Sequence, residues 1–396
     1  MIHAPRVSAA ARQLRVALVG NHPPRRCGIA TYTRDVATAL RQIGHRVHVT
    51  AMCDAGSAYN YGGSVEVAVD QESRADHVSA GRAIAAWRPD VVLVEHEFGI
   101  FGGPAGLWLL DLLDAADVPA VVRLHTVLER PNPEQAEAFA GLKSRAPSMI
   151  VMARRGAAIL TESGSPALPP VEVIPHGVPD RSLVAPWAMR ARLGWPERPT
   201  LLTFGLISPG KGIEMVIEAL PSILDQVPTA RYVLLGATHP LLVAREGERY
   251  REGLAARAKA LGVSHALHMD NRYVADEALC DALQAAELFV TPYLNEAQIT
   301  SGTLAYALAC GVPTLSTPYW HAQEVLPPKF LVPFGDAEAL ASKAALLLSS
   351  AELRQATART LWRGQRHAVW QVHARRLAKV LRAAAIGEAP QTIAAE

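Results

Sequence analysis

The sequence predicts an α/β protein made of two Rossmann-like domains facing each other across a cleft. Short apolar runs alternate with longer helical patterns along nearly the whole chain, as parallel strands joined by crossover helices do. The alternation breaks at a Pro-rich passage over 165–186 and then starts afresh, giving two βα series of similar size. At 396 residues the chain exceeds one ordinary domain, and with half of its residues apolar and 19% charged it is not a disordered polymer.

The first series reads as strands at LRVALVG (14–20), RVHVTAM (46–52), DVVLVEH (90–96), AVVRLHT (120–126) and SMIVMA (148–153). The second has TLLTFGL (200–206), ARYVLLGA (230–237), HALHMD (265–270), ELFVTPY (287–293), VPTLSTP (312–318) and FLVP (330–333). Domains over 1–183 and 184–365 follow, then a helix over 366–384 and a frayed Ala-rich tail over 385–396. In that helix Trp370, Ala374, Leu377 and Leu381 recur at i, i+4, i+7 and i+11, one apolar stripe able to pack on either domain.

The net charge of +2 excludes a generally polybasic nucleic-acid binder, but it hides an asymmetry. Residues 1–50 hold eight Arg against Asp35, and residues 351–396 hold seven Arg and Lys379 against three acids, leaving −10 on the 300 residues between. The four cysteines, Cys27, Cys53, Cys280 and Cys310, form no metal-binding spacing and read as reduced thiols of a cytoplasmic protein. No window holds the roughly 18–20 apolar residues of a spanning helix, and the start of the chain lacks the pattern of a signal peptide.

Ligands of open parallel sheets bind at the carboxyl ends of the strands, so the strand-to-helix loops are the candidates. In the first, NHPPRRCGIATY (21–32), Gly28 opens a helix and could let the backbone approach a phosphate, or could be an ordinary turn glycine beside solvated Arg25 and Arg26. It is not GxGxxG, which disfavours a conventional dinucleotide site. EHEFGIFGGPAG (95–106) brings His96 and Glu97 to a strand end before four glycines, a ligand loop or the seat of a structural histidine. His125 ends a buried strand, where it either contacts substrate or is structural. In the second domain, FGLISPGKGIE (204–214) delivers Lys211 to a helix start, where ammonium and amide dipoles together can hold a leaving phosphate. Thr300, Ser301, Gly302 and Thr303 open another helix as an anion nest.

These pieces, with GHRV (44–47), VIPHGVP (173–179), ELFVTP and AYALACGVPTLST (305–317), resemble the family 4 retaining glycosyltransferases of the GT-B fold over nearly the whole chain. The resemblance implies a nucleotide-diphosphate sugar held by the second domain, with Gly28, Gly205, Lys211, Ser301, Gly302 and Thr303 in its site. It implies an acceptor bound by the first domain, cleft closure, and a final helix crossing back to that domain. Two departures mark a subgroup. The family's Arg after the motif glycine is Leu206 here, and its Glu-x7-Glu pair falls on Gln298 and Tyr306, because Glu296 finds Leu304 eight residues on. Gln298 keeps a hydrogen bond for a sugar hydroxyl; Tyr306 offers one phenol where a carboxylate would grip a ribose diol with two acceptors.

The implied reaction moves a hexose with retention of configuration, Lys211 and the nest stabilising the departing diphosphate while a donor phosphate oxygen takes the acceptor proton. His125 positions sugar and acceptor, and His96 joins it in the candidate catalytic set. Glu97, Phe98, Gly99 and Arg130, of RPNPEQ (130–135), read as acceptor walls, and Arg272 and Tyr273 as borders of the base. No Asp-x-Asp occurs, so neither a metal nor a cofactor beyond the co-substrate is expected. The acceptor is a glycan, a lipid-linked saccharide or a small molecule. If both basic ends belong to the acceptor domain, a peripheral contact with the anionic inner membrane face follows as an expectation. An epimerase or phosphorylase on the same fold, or a degenerate sugar-nucleotide-binding subunit, stays as the alternative.

Overall fold

The computed structural model describes residues 13–57, 59–164 and 167–388. The chain forms two compact units, one from the residues up to Pro175 together with those from Trp370 onward, the other from His176–Val369. The sequence reading put the joint at 183/184 and the returning segment from 366. Residues 176–183 and 366–369 belong with the second unit: Val178 bridges Val369, Trp362 Nε1 donates to the Arg181 carbonyl at 2.6 Å, and Arg181 is paired with Asp281.

The first unit is built on seven parallel strands: β1 (Arg15–Asn21), β2 (Arg46–Cys53), β3 (Val67–Asp70), β4 (Val91–His96), β5 (Ala120–Leu124), β6 (Ser148–Val151) and β7 (Val171–Val173). Their order is β3-β2-β1-β4-β5-β6-β7, which reverses direction between β1 and β4, where open sheets of this kind place their ligands. β1 and β4 are almost wholly buried, as helix-covered parallel strands must be, which explains their near-continuous Val and Leu. The sequence reading missed β3 and β7. Both are short edge strands, four and three residues long, with too little apolar length to stand out.

The second sheet has β8 (Thr200–Phe204), β9 (Arg231–Leu235), β10 (Leu267–Asp270), β11 (Leu288–Thr291) and β12 (Thr314–Ser316) in the order β10-β9-β8-β11-β12, again all parallel. FLVP is not a strand. It is an isolated bridge from Leu331 to Ser316 after the short 3₁₀ turn Pro328–Phe330, because the flanking Pro327, Pro328 and Pro333 have no N–H to give a ladder.

The final helix, Trp370–Ala385, packs into the first unit. Ala374, Leu377 and Leu381 join Tyr32, Val36 and Leu40 of the helix Gly28–Gln42 and the strand residues Val16, Leu18 and Leu93 in one core. The stripe read from the sequence is the buried face. Of the expected frayed tail, Ala385 is helical and the Glu388 amide still bonds the Ala383 carbonyl at 2.9 Å, whereas 389–396 lie outside the described residues. Among the described residues, no helix is long and apolar enough to cross a membrane.

Candidate active site

In the first unit the polar side chains gather at the ends of β4 and β5. The register sets Glu95 beside Arg123 and His96 beside Leu124, and the His125 amide bonds the His96 carbonyl at 3.0 Å. Glu95 and Arg123 are both 0% exposed and paired at 2.9 Å, and the second Glu95 oxygen accepts from His125 Nε2 at 2.8 Å. Tyr32, from the helix that Gly28 opens, meets the His125 ring edge-on at 5.1 Å and lies 5.1 Å from the Arg123 guanidinium carbon. Behind it His373 Nε2 lies 3.3 Å from the Tyr32 hydroxyl, its Nδ1 2.9 Å from the Pro175 carbonyl. His125 is thus a nearly buried imidazole whose Nε2 is committed to a carboxylate, which leaves Nδ1 as the nitrogen for a ligand.

The other first-unit candidates are placed differently. His96 is buried, edge-on to Phe98 at 5.0 Å and stacked on Phe101 at 6.0 Å. Burial, with neighbouring His125 adding to it, holds its imidazole down at about 3, so it is neutral and packs as a wall. Glu97 turns back into its loop, accepting from Thr126 Oγ1 at 2.6 Å and from the Phe98 amide at 3.0 Å. Gly99 and Arg130 are exposed, and Gly28 is open, with nothing within 4 Å of where a Cβ would stand. The glycine-rich loop has a packing reason: at Gly102 (φ +66°) a Cβ would stand 1.7 Å from the Gln71 carbonyl oxygen. Arg25 is tied down by Asp54 at 2.6 Å and by Gln71 at 2.9 Å.

In the second unit the constellation is tighter. Lys211 Nζ donates to the Tyr293 hydroxyl at 2.6 Å, and that hydroxyl is 2.6 Å from Thr303 Oγ1, itself 3.0 Å from Ser301 Oγ. Ser301 caps the helix Gly302–Ala309, its Oγ accepting from the Leu304 amide at 3.2 Å, and its own amide donates to His321 Nδ1 at 2.9 Å. Burial holds His321 down at about 4, so it stays a neutral acceptor. The ammonium and the helix start therefore converge on one spot, which Gly205 leaves open: a Cβ there would meet Thr303 Cγ2 at 3.4 Å and Lys211 Nζ at 3.9 Å. Gly205 (φ +127°) and Gly236 (φ +140°) are pressed together, a Gly236 Cβ falling 2.0 Å from the Gly205 oxygen.

His176, from VIPHGVP, completes this edge, its Nε2 2.9 Å from where a Gly302 Cβ would stand and its ring edge-on to Tyr306 at 6.1 Å. Tyr306 is buried on the helix that Gly302 opens. Gln298 Nε2 is spent on the Thr300 carbonyl at 2.6 Å, which stiffens the approach to the nest. Arg272 is clamped to Asp270 at 2.6 Å, and Tyr273 is exposed. The structure thus gathers Gly205, Lys211, Ser301, Gly302, Thr303 and Tyr306 into one constellation and His125 and His96 into another. It adds Glu95, Arg123, Tyr293, His176 and His321, which sequence reasoning did not single out. A signal for the first two was present, since opposite charges stand inside two apolar runs.

Two all-parallel sheets with an ammonium beside a helix start on the second define an α/β protein whose second unit carries a site suited to an anion. Comparison with known families agrees: residues 27–181 match the model described as Glycosyltransferase Family 4, and residues 198–350 match Glycosyl transferases group 1. Among curated protein sequences none matches. Among solved structures, the chain is similar to HepE of Anabaena in complex with UDP-glucose, with TM-score 0.72, 18% identity, and 94% of this chain and 100% of that one covered. It is also similar to the sucrose-phosphate synthase of Thermosynechococcus elongatus, with TM-score 0.70, 19% identity and coverages of 94% and 98%. An alpha,alpha-trehalose-phosphate synthase (UDP-forming) from Burkholderia vietnamiensis aligns with TM-score 0.66, 14% identity and coverages of 93% and 100%. The chain is a glycosyltransferase of the GT-B type.

Proposed function

We propose that this glycosyltransferase moves a hexose from a nucleotide-diphosphate sugar to a hydroxyl of a glycan, lipid-linked or small acceptor, with retention of configuration. The observation that carries the donor half is the convergence of Lys211 Nζ, Thr303 and the start of the helix Gly302–Ala309 beside Gly205. A diphosphate laid there meets an ammonium and the positive end of a helix dipole at once, so charge growing on the leaving group is stabilised without reorganisation. The UDP-glucose complex of the similar HepE structure supports a nucleotide sugar as the ligand. Retention rests on the motif resemblance, with the donor's own phosphate oxygen taking the acceptor proton.

In the first unit, Glu95 fixes the His125 ring so that Nδ1 serves the sugar or acceptor, and His96 supports the loop from behind. The acceptor belongs to this unit, which also holds the basic final helix, and a cytoplasmic protein touching an anionic membrane surface fits that charge. The test is a screen of the full chain against UDP-, GDP- and ADP-hexoses, with and without saccharide acceptors. Mass spectrometry follows donor loss, and NMR reads the anomeric configuration of the product. Transfer or donor hydrolysis with one nucleotide series is the expected outcome. Donor that is merely isomerised, turnover only with added phosphate, or no turnover in any series would overturn the reading.

A further inference from the structure

The second unit holds one ammonium where the resembling family pairs a lysine with an arginine, and its neighbourhood shows what stands in for the missing cation. Leu206 occupies the arginine's place and supplies no charge. Lys211 is held instead by Tyr293, whose hydroxyl lies 2.6 Å from Nζ and whose ring centroid lies 4.0 Å from it. Tyr293 cannot swing away. It is buried just beyond β11, stacked on Tyr319 at 5.2 Å and 17°, and Tyr319 is itself 3.2 Å from Thr291 Oγ1. Thr303 Oγ1, 2.6 Å from the same hydroxyl, belongs to the helix whose start forms the nest.

We infer that Tyr293 is the positioning residue of the donor site: its hydroxyl pins the Lys211 ammonium beside the start of the helix Gly302–Ala309, making one ordered cation do the work of two. The role rests on the donor reading above. A free lysine spreads its charge over many rotamers and pays entropy when it engages a ligand; a pinned one does not.

The same contact gives the site an alkaline limit. Burial pushes the Tyr293 phenol up, but the charge and hydrogen bond of Lys211, joined by the bonds to Thr303 and Ser301, outweigh it and leave the phenol below its ordinary value. The other titratable groups around the pair do not compete: Tyr319 is raised by burial, and His321 and His239 are lowered chiefly by burial. As pH rises and the Tyr293 phenol gives up its proton, the phenolate beside Nζ offsets the ammonium's charge, and the pull of the site on a diphosphate weakens.

Tyr293→Phe removes the hydroxyl and keeps the ring on Tyr319, so a purely structural role predicts unchanged binding. Calorimetric titration of the wild type and this variant with UDP, GDP and ADP at pH 7.5 and 9.5, alongside melting curves, separates the possibilities. The expected result is a wild type that binds one of the three and weakens at pH 9.5. The variant should melt as the wild type does, bind about tenfold more weakly at pH 7.5, the scale of losing one hydrogen bond to a charged group, and show a smaller alkaline loss. Equal affinities and equal pH dependence in the two proteins would overturn the positioning role alone. No binding of any of the three by the wild type would overturn the donor reading and this role with it. Should the variant not fold, phenolate absorbance of the wild type decides: the nucleoside diphosphate must raise the midpoint of the most acidic tyrosine, and an unmoved midpoint overturns the proposal.

Discussion

Removal of the Glu95 carboxylate should be the most damaging single change in the first unit, and the reason is charge rather than volume. Arg123 is 0% exposed, only its Nη1 bonds Glu95, and its Nε and Nη2 have no partner. In Glu95→Ala a guanidinium is left in the core with the face of Tyr32 as its remaining favourable neighbour. Breaking a buried pair from one side costs about 3–5 kcal/mol. In a unit of this size each kcal/mol moves the midpoint by about 2–4 °C, so its transition should fall by about 6–20 °C. Replacing both members, Glu95→Leu with Arg123→Met, removes the stranded charge and should recover most of the loss, because apolar replacement of a whole buried pair is often close to neutral. Glu95→Gln separates the two duties of the residue: it still offers His125 an acceptor but leaves Arg123 uncompensated, so it should melt early. Scanning calorimetry of the full chain measures all three. A Glu95→Ala transition within about 2 °C of the wild type, or a double variant as unstable as the single one, would refute the buried-charge account.

Lys211→Ala should leave melting unchanged and lower turnover by about a hundredfold or more, the scale of losing a preorganised electrostatic stabiliser; near-normal turnover in folded protein would remove Lys211 from the mechanism. Gly28→Ala should cost under about 0.5 kcal/mol, since its Cβ would meet nothing within 4 Å, so any larger loss of activity than of stability marks close ligand approach there. Gly236→Ala should instead destabilise the second unit severely, its Cβ falling 2.0 Å from the Gly205 oxygen at φ +140°, and a melting point equal to wild type would contradict that packing. His96 at about 3 and His321 at about 4 are neutral in the fold, whereas an unfolded histidine takes a proton below about 6.5. The unfolded state therefore binds more protons below pH 6.5, and stability is fully present above that value and lost as pH falls toward 4. Each group removes about 1.4 kcal/mol per pH unit in that window; urea midpoints that do not move between pH 7 and 5 would contradict it.

Much of the fold could be read from periodicity, and the reasons for the exceptions are physical. Strands buried on both faces announce themselves as apolar runs, which is why β1, β2, β4 and β8 lie within two residues of their sequence estimates. β3 and β7 sit at sheet edges, where three or four residues suffice and turn chemistry surrounds them. In the candidate site, Lys211 and Ser301–Thr303 were legible because a helix start is a local pattern. Glu95, Tyr293 and His176 were not, because each acquires its role from a partner far along the chain: Arg123 and His125 for Glu95, Lys211 for Tyr293, Gly302 for His176. The packing demand for glycine at Gly102 was hidden for the same reason, since it arises from Gln71.

The helix Trp370–Ala385 supplies Ala374, Leu377, Val380, Leu381 and Ala384 to a core whose other buried members all precede residue 176. On the ribosome this imposes an order of events. The first half of the chain emerges with a gap where that helix belongs and waits for the whole of His176–Val369 to be made, about 10–40 s at ordinary elongation rates. During that interval Tyr32, Val36 and Leu40 present an uncovered apolar face, a natural hold point for a chaperone. The second unit, contiguous in sequence, can fold while the first still waits, so a fragment ending before Trp370 should yield one folded half and one aggregation-prone half.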